Sequence, residues 1–139
     1  DSLYSDLVYV DPEDTDKVIR NWEAGEYKEG KYIFGWHPPH PTFFVKREIY
    51  DEYGVFDLSY EIASDYDIMI RFLEKNNIST FYIPEVFIKM RMGGKSNQSL
   101  KNVFNLNIEC YRALKKNKLR GGFFTILCKL AWKSLQYIK

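Results

Sequence analysis

Short apolar runs alternate with segments of helical periodicity along this chain, and this alternation limits the fold more than any other feature. Four runs have the length and composition of buried strands: residues 7–10, 42–45, 80–83 and 86–92. Five segments have helical spacing or helix-ending signals: residues 15–24, 46–53, 65–75, 96–118 and 123–138. The proline-rich stretch 37–41 is predicted to be extended, because a residue before proline avoids helical geometry. Strands that alternate with helices predict an α/β fold.

The composition excludes some classes of function and leaves one question open. The 139 residues suffice for one domain with its own core. A net charge of +1 gives no broad positive electrostatic field that would attract nucleic acid. Aromatic residues reach 17%, which suits either a ring-rich core or a site for flat, partly polar ligands such as sugars. Cys110 and Cys128 fall in predicted helices and suggest no disulfide framework, so we expect a reducing, cytoplasmic compartment. The sequence shows no signal peptide and no apolar run long enough to span a bilayer.

Residues 121–139 are predicted to form an amphipathic helix at the basic end of the chain. Its apolar stripe is made of large and small apolar side chains at helical spacing: Phe123, Leu127, Leu130, Ala131, Leu135 and Ile138. Lys129, Lys133 and Gln136 fall on the opposite side, and Trp132 lies near the boundary. Most such stripes pack on the protein's own core. Lysines beside an apolar face with Trp also fit a helix that lies on an anionic membrane, and the sequence leaves both interpretations open.

The segment Ser64-Asp65-Tyr66-Asp67 lies where a loop enters a predicted helix. One interpretation is structural, because Ser64 is a good N-cap, Asp67 falls at the capping-box position and acids suit a helix N-terminus. The other interpretation is chemical. A carboxylate at a helix start that points into a cleft stays ionised at neutral pH and can take a proton from a hydroxyl nucleophile.

His37 and His40 are the only histidines, and both lie in one proline-stiffened turn. Two histidines at this spacing could bind a metal ion, but no third ligand follows nearby. The pattern therefore favours a rigid loop that presents Trp36 and His40 to a ligand.

One further motif contains a glycine pair, and another contains a carboxylate pair. Residues 91–96 have the sequence Arg-Met-Gly-Gly-Lys-Ser, which suits either a turn that approaches phosphate or a flexible turn capped by Ser96. Asp14 and Asp16 are spaced to hold a divalent ion, although capping of a predicted helix is the simpler explanation.

Five segments follow one another in an order and spacing typical of a known family. They are residues 6–9, 40–47, 53–57, 63–67 with 71–73, and 90–96. Their sequences are Asp-Leu-Val-Tyr, His-Pro-Thr-Phe-Phe-Val-Lys-Arg, Tyr-Gly-Val-Phe-Asp, Ala-Ser-Asp-Tyr-Asp with Arg-Phe-Leu, and Met-Arg-Met-Gly-Gly-Lys-Ser. Over roughly residues 3–112 the chain resembles family 2 of the glycosyltransferases, which have the GT-A fold, near the branch that builds bacterial cell-surface polysaccharides.

The resemblance assigns roles to particular residues. The family's acidic pair appears here as Ser64-Asp65, without its first acid, so Asp65 would be the catalytic base. The side chains expected to contact the acceptor or the donor sugar are Trp36, His40, Ser64 and Asp67. The residues expected to close over the nucleotide phosphates are Arg91, Gly93, Gly94 and Ser96.

The resemblance also implies that part of the domain lies outside this chain. In the family, a nucleotide-binding half with an Asp-x-Asp motif for Mg²⁺ or Mn²⁺ precedes the first strand found here, whereas Asp14-x-Asp16 follows that strand. The chain does not begin with Met, so we expect a piece of a longer protein. Residues 1–120 would be the acceptor-side, C-terminal half of a partial GT-A (Rossmann-like) fold, residues 121–139 an added helix, and the metal ligands would lie elsewhere.

The implied function is inverting transfer of a sugar from a nucleotide diphosphate sugar to a saccharide or lipid-linked acceptor, in cell-surface polysaccharide or glycolipid synthesis. The alternative is a non-catalytic carbohydrate-binding or assembly module built on the aromatic residues around Trp36. We expect no nucleic-acid partner. We also expect self-association through a sheet edge that the missing half leaves uncovered. Contact of the C-terminal helix with the inner membrane face stays the open alternative to packing on the core.

Overall fold

The computed structural model describes residues 1–93 and 100–135. Within them the chain forms four strands: β1 Ser2–Val10, β2 Val18–Trp22, β3 Phe44–Val45 and β4 Thr80–Arg91. It also forms four α-helices: α1 Arg47–Tyr53, α2 Ser64–Ile70, α3 Leu100–Lys116 and α4 Gly122–Leu135. A π-helical turn over Arg71–Lys75 continues α2, and 3-10 turns cover Lys31–Phe34 and His40–Thr42.

Strand β1 is the centre of a mixed sheet and pairs along both of its edges. β4 runs parallel to it along one edge. The other edge pairs antiparallel with β3 at Ser2 and Leu3, and with β2 at residues 7–10. In the described part of the chain β4 pairs only with β1, so its outer edge is open. The sheet and the helices that pack beside it confirm the predicted α/β fold class.

The helix predicted over residues 15–24 is wrong, because Val18–Trp22 form strand β2. The helical pattern grouped Val18, Ile19 and Trp22 on one face, but the strand period of two separates Ile19 from the other two. Val18 and Ile19 are exposed, whereas Arg20 is buried at 5% exposure and lies over the ring of Tyr9. Pairing with β1 and the stiffness of β-branched side chains favour the strand here.

Strand β4 is continuous where two strands were predicted. Ser5 lies opposite Ile83 and Asp6 lies opposite Val86, so Pro84 and Glu85 bulge out of the pairing. Proline lacks the N–H that a ladder needs, and a bulge accommodates it without ending the strand.

The stretch predicted to be extended contains one 3-10 turn, which begins at His40. Pro41 lies in the first turn, where its missing N–H is not required. The short helix predicted over residues 46–53 is confirmed as α1, and it ends at Gly54, whose φ of 87° favours glycine.

The central helix predicted over residues 65–75 is confirmed by α2 and its π-helical continuation. Ile68, Met69 and Phe72 are each exposed by 1% or less. They pack with Tyr4 of β1 and with Ile49 of α1 in the first hydrophobic core.

A second core joins α2 to α3 and α4 through Ile70, Leu114 and Ile126. Helix α3 is described from Leu100 onward, so its predicted start at Ser96 lies outside the described residues. It ends at Lys116, two residues before its predicted end, and Lys118 adopts a left-handed φ of 57°. Among the described helices, none combines the length and the apolar character that crossing a bilayer requires.

Helix α4 packs on the protein with the side opposite to its predicted apolar stripe. Thr125 and Ile126 are buried, whereas Phe123, Leu127 and Leu130 are exposed by 69%, 51% and 41%. The interpretation in which this stripe packs on the protein's own core is therefore wrong for the described side chains. The side chain of Leu135 and all of Ile138 lie outside the described part of the chain.

Candidate functional site

A cleft of about 480 Å³ opens between the sheet and helices α2, α3 and α4. The sheet contributes its lining residues Tyr9, Arg20, Trp22 and Met90, with Glu23 just after β2. The loop after the 31–34 turn contributes Gly35, Trp36, His37, His40 and Pro41. The helices and the loop before α2 contribute Glu61, Ile62, Asp65, Tyr66, Met69, Val103, Leu106, Asn107, Lys129, Leu130 and Trp132. A concave site with aromatic walls and a few ionisable groups is typical of small-ligand binding.

Asp65 lies in the first turn of α2 and is partly exposed to this cleft. Its Oδ1 accepts a hydrogen bond from the backbone N–H of Tyr66 at 2.7 Å. The structure therefore places the Asp65 carboxyl group at the cleft wall.

The start of α2 is held by Glu109 of α3 and not by Ser64. The N-cap residue is Ala63, and the structure has no side-chain capping bond there, so the predicted N-cap at Ser64 and capping box at Asp67 are wrong. Instead, the Glu109 carboxylate accepts the backbone N–H groups of Glu61, Ile62 and Ala63 at 2.8–2.9 Å. A carboxylate from a distant helix thus fixes the loop that positions Asp65.

The charge state of Glu109 follows from the same contacts. Partial burial raises the pKa of this carboxyl, but the three backbone donors and the Arg112 guanidinium outweigh that effect and lower the pKa below its ordinary value. Glu109 is therefore ionised at neutral pH and binds the loop as an anion.

Ser64 and Asp67, both predicted to contact sugars, do not line the cleft. Asp67 is fully buried behind α2, where its Oδ1 accepts a hydrogen bond from Asn117 Nδ2 at 2.9 Å. Its Oδ2 lies 3.5 Å from Arg71 Nε, close enough for an ion pair but without hydrogen-bond geometry. Asp67 therefore ties α2 to the end of α3 and has a structural role.

Trp36 forms part of the cleft wall from within the core. It is 6% exposed, its ring packs edge-on against Tyr4 at 5.9 Å, and its indole N–H donates to the Ala24 carbonyl at 2.6 Å. The predicted sugar contact at Trp36 is thus limited to the small edge that reaches the cleft.

A more accessible aromatic surface comes from Tyr9 and Trp22, which sequence reasoning missed. Their rings lie 6.4 Å apart at an angle of 11°, and the Arg20 guanidinium lies 4.4 Å from the Tyr9 centroid and 5.4 Å from that of Trp22. The missed signal was the period-two placement of Arg20 and Trp22, which the helical interpretation of residues 15–24 obscured.

The two histidines both line the cleft but have different surroundings. His40 is partly exposed and packs edge-on against Phe56 at 5.6 Å. Burial, together with the nearby Lys129 ammonium, lowers the pKa of His37 to about 3, so His37 is neutral at physiological pH. Its Nδ1 lies 3.1 Å from the Pro38 carbonyl, and a carbonyl only accepts, so this nitrogen carries the proton.

Lys129 of α4 lies on the side of the helix opposite to the apolar stripe, as predicted, and there it lines the cleft. Its Nζ donates to Cys110 Sγ at 3.0 Å and lies 4.3 Å from the centroid of the Tyr66 ring. Burial raises the pKa of the Cys110 thiol, although the ammonium opposes that shift, so the sulfur is uncharged at neutral pH. Lys129 therefore supplies a basic group to the cleft that Asp65 also lines, and no local sequence pattern indicated it.

The predicted phosphate-binding turn is described only at its beginning. Arg91 ends β4 and is exposed, and Gly93 has a left-handed φ of 111°. Neither residue lines the cleft. Gly94 and Ser96 lie outside the described residues.

Asp14 and Asp16, the pair spaced to hold a divalent ion, are engaged in other contacts. Asp14 accepts the backbone N–H of Asp16, and Asp16 lies 3.2 Å from Lys89 Nζ, so both stabilise the turn between β1 and β2. Within residues 1–93 and 100–135, no three His, Cys, Asp or Glu side chains gather as metal ligands would.

Comparison of the chain with models of known protein families, with curated proteins and with solved structures gives no match.

Proposed function

We propose that the cleft is the acceptor site of an inverting glycosyltransferase and that Asp65 is its general base. The observation that carries the proposal is a partly exposed carboxylate at the first turn of α2, facing a cleft with aromatic walls. Tyr9 and Trp22 line the cleft, and a sugar ring can contact the part of their rings that the Arg20 guanidinium does not cover.

The chemistry requires one proton transfer and one displacement. Asp65 accepts the proton of the acceptor hydroxyl as its oxygen attacks the anomeric carbon of the donor. The bond from that carbon to the diphosphate breaks on the opposite face, so the configuration inverts and the diphosphate leaves with the electron pair. Glu109 serves this step only by fixing the loop before α2, because it contacts backbone and not the cleft.

The donor site belongs, in this proposal, to a preceding part of a longer protein. The open edge of β4 and the exposed side chains of Phe81, Val86 and Phe87 offer a surface on which further strands can add. A Mg²⁺ or Mn²⁺ ion, which would stabilise the leaving diphosphate, would have its ligands in that part, and no residue described here has a role in holding it.

A second candidate is a carbohydrate-binding module without catalysis. The stacked pair of Tyr9 and Trp22 favours it, because saccharide-binding modules need such a surface and no base. The two candidates differ in whether a bound sugar nucleotide is cleaved.

The test measures release of nucleotide diphosphate by the intact protein from a panel of sugar nucleotides, with saccharide and lipid-linked acceptors. Residues 1–139 alone serve as the matched control. We expect release by the intact protein and none by residues 1–139. Saccharide binding without release would support the module, and turnover by residues 1–139 alone would contradict the division into donor and acceptor halves.

A further inference from the structure

Large apolar side chains are exposed along α4. They belong to Phe123, Phe124, Leu127, Leu130 and Trp132. Phe34, which is 57% exposed, packs edge-on against Phe124 at 6.2 Å and extends this group to the 31–34 turn. We call these six residues the α4 apolar face. A soluble monomer seldom exposes this many neighbouring large apolar side chains without a binding partner.

Helix α3 extends this surface along a second element. A Cβ added at Gly122 would lie 3.4 Å from the Tyr111 ring, so the two helices meet there. Phe104, Ile108 and Tyr111 are exposed and recur at spacings of four and three residues, which places them on one side of α3.

The C-terminal part of the chain, which carries the α4 apolar face, has a strongly positive net charge. Residues 100–139 contain nine of the 20 Lys and Arg residues but only one of the 19 acids, so they carry +8 and residues 1–99 carry −7. That acid is Glu109, which is buried and occupied by three backbone N–H groups. Lys115, Lys118 and Arg120 are exposed at the junction of α3 and α4.

We infer that the α4 apolar face docks on an anionic lipid bilayer. Exposed aromatic and aliphatic side chains would enter the acyl boundary, and the surrounding cations would face anionic headgroups. The charge pattern favours lipid over a second copy of this chain, because two copies related by a two-fold axis would bring the same positive segments together.

The docked orientation also places the cleft at the membrane. Leu130 and Trp132 belong both to the α4 apolar face and to the lining of the cleft. If the proposed function holds, an acceptor attached to lipid would reach Asp65 without leaving the bilayer surface. The docking itself does not depend on that function.

The test is vesicle sedimentation with the full chain. Vesicles of phosphatidylcholine with phosphatidylglycerol in equal parts are compared with vesicles of phosphatidylcholine alone. One variant removes apolar contacts (Phe123→Ser, Phe124→Ser and Leu127→Ser together), and a second removes charge (Lys115→Gln, Lys118→Gln and Arg120→Gln together). The matched control is Val55→Ser with Leu58→Ser. These residues are 67% and 91% exposed and lie on the loop between α1 and α2. Circular dichroism establishes that every variant is folded.

We expect the parent and the control to bind anionic vesicles equally, and each triple variant to bind at least about tenfold more weakly, since each exposed ring or cation adds to membrane affinity. Equal binding by the apolar triple variant would overturn the docking surface. If the parent bound neutral vesicles as strongly as anionic vesicles, the role of the cations would be overturned. A parent that stays in the supernatant, and that forms a dimer which the apolar triple variant abolishes in sedimentation velocity, would assign the face to a protein interface instead.

Discussion

Helices α2 and α4 have the same kind of apolar pattern and use it in opposite ways. In α2 the large apolar residues Ile68 and Met69 are almost fully buried against the sheet. In α4 the corresponding stripe is exposed, and the side with Thr125, Ile126 and Lys129 packs on the protein. Periodicity shows that a helix has two different faces, but the neighbouring elements decide which of them is turned inward.

The neighbours of α4 explain its orientation. A Cβ added at Gly35 would lie 2.2 Å from the backbone nitrogen of Lys129, and one added at Gly121 would lie 2.0 Å from Thr125 Oγ1. Gly35 and Gly121, which precedes α4, therefore allow the backbone to lie close to the less apolar side of α4. The large described side chains of the stripe, Phe123, Leu127 and Leu130, are left exposed.

The largest expected effect separates the two helices directly. Ile68→Ala should lower the free energy of unfolding by about 3–4 kcal/mol, because it leaves a cavity in the first core. Leu127→Ala, at a half-exposed site on α4, should lower it by about 0.5 kcal/mol or less. Urea unfolding of both variants at neutral pH measures the difference. Equal losses of unfolding free energy in the two variants would mean that the stripe of α4 is buried in solution, which would contradict the proposed difference between α2 and α4.

A smaller effect is expected where α4 meets the 31–35 segment. Gly35→Ala should cost about 3 kcal/mol, from its left-handed backbone and from the clash with α4 together. Gly30→Ala is the matched control, because Gly30 has a similar φ of 77° and nothing lies within 4 Å of an added Cβ. It should cost about 1 kcal/mol from backbone strain alone. Thermal unfolding of the Gly35→Ala and Gly30→Ala variants measures the difference, which is the contribution of the clash with α4. Equal losses of stability in the two variants would contradict the close contact between Gly35 and Lys129.

A third stability effect concerns the hydrogen bonds between Glu109 of α3 and the loop before α2. Glu109→Gln should cost about 2 kcal/mol at neutral pH, because a neutral amide replaces the anionic acceptor of three N–H groups. The folded pKa of Glu109 is lowered, so its stabilisation is present above the unfolded pKa and is lost as pH falls through the folded value.

The gap in unfolding free energy between parent and Glu109→Gln should therefore narrow below about pH 4.5, near the unfolded pKa of a glutamate. Glu85→Gln, at the exposed bulge of β4, is the control and should behave as the parent at every pH. A gap that stays constant down to pH 3 would show that Glu109 does not act through its charge.

The sequence predicted those parts of the fold that depend on local pattern. β1, α1 and α2 follow from runs and periods within single segments, and Asp65 from its place at a helix start. Strand β2 was missed because pairing with β1 overrides the helical spacing of residues 15–24. Glu109 and Lys129 were missed because each acts on α2 from a distant helix, across 46 and more residues in the case of Glu109.

The central claim is that Asp65 is a base and not only a residue of the first helical turn. The most direct measurement is the turnover number of Asp65→Asn in the intact protein, alongside its donor dissociation constant and its thermal stability. Asparagine keeps an oxygen that can accept the Tyr66 N–H, so stability should be nearly unchanged. The account predicts turnover lower by roughly 100-fold or more, with donor binding intact and with Asp51→Asn on exposed α1 behaving as the parent. Turnover equal to that of the parent would contradict it.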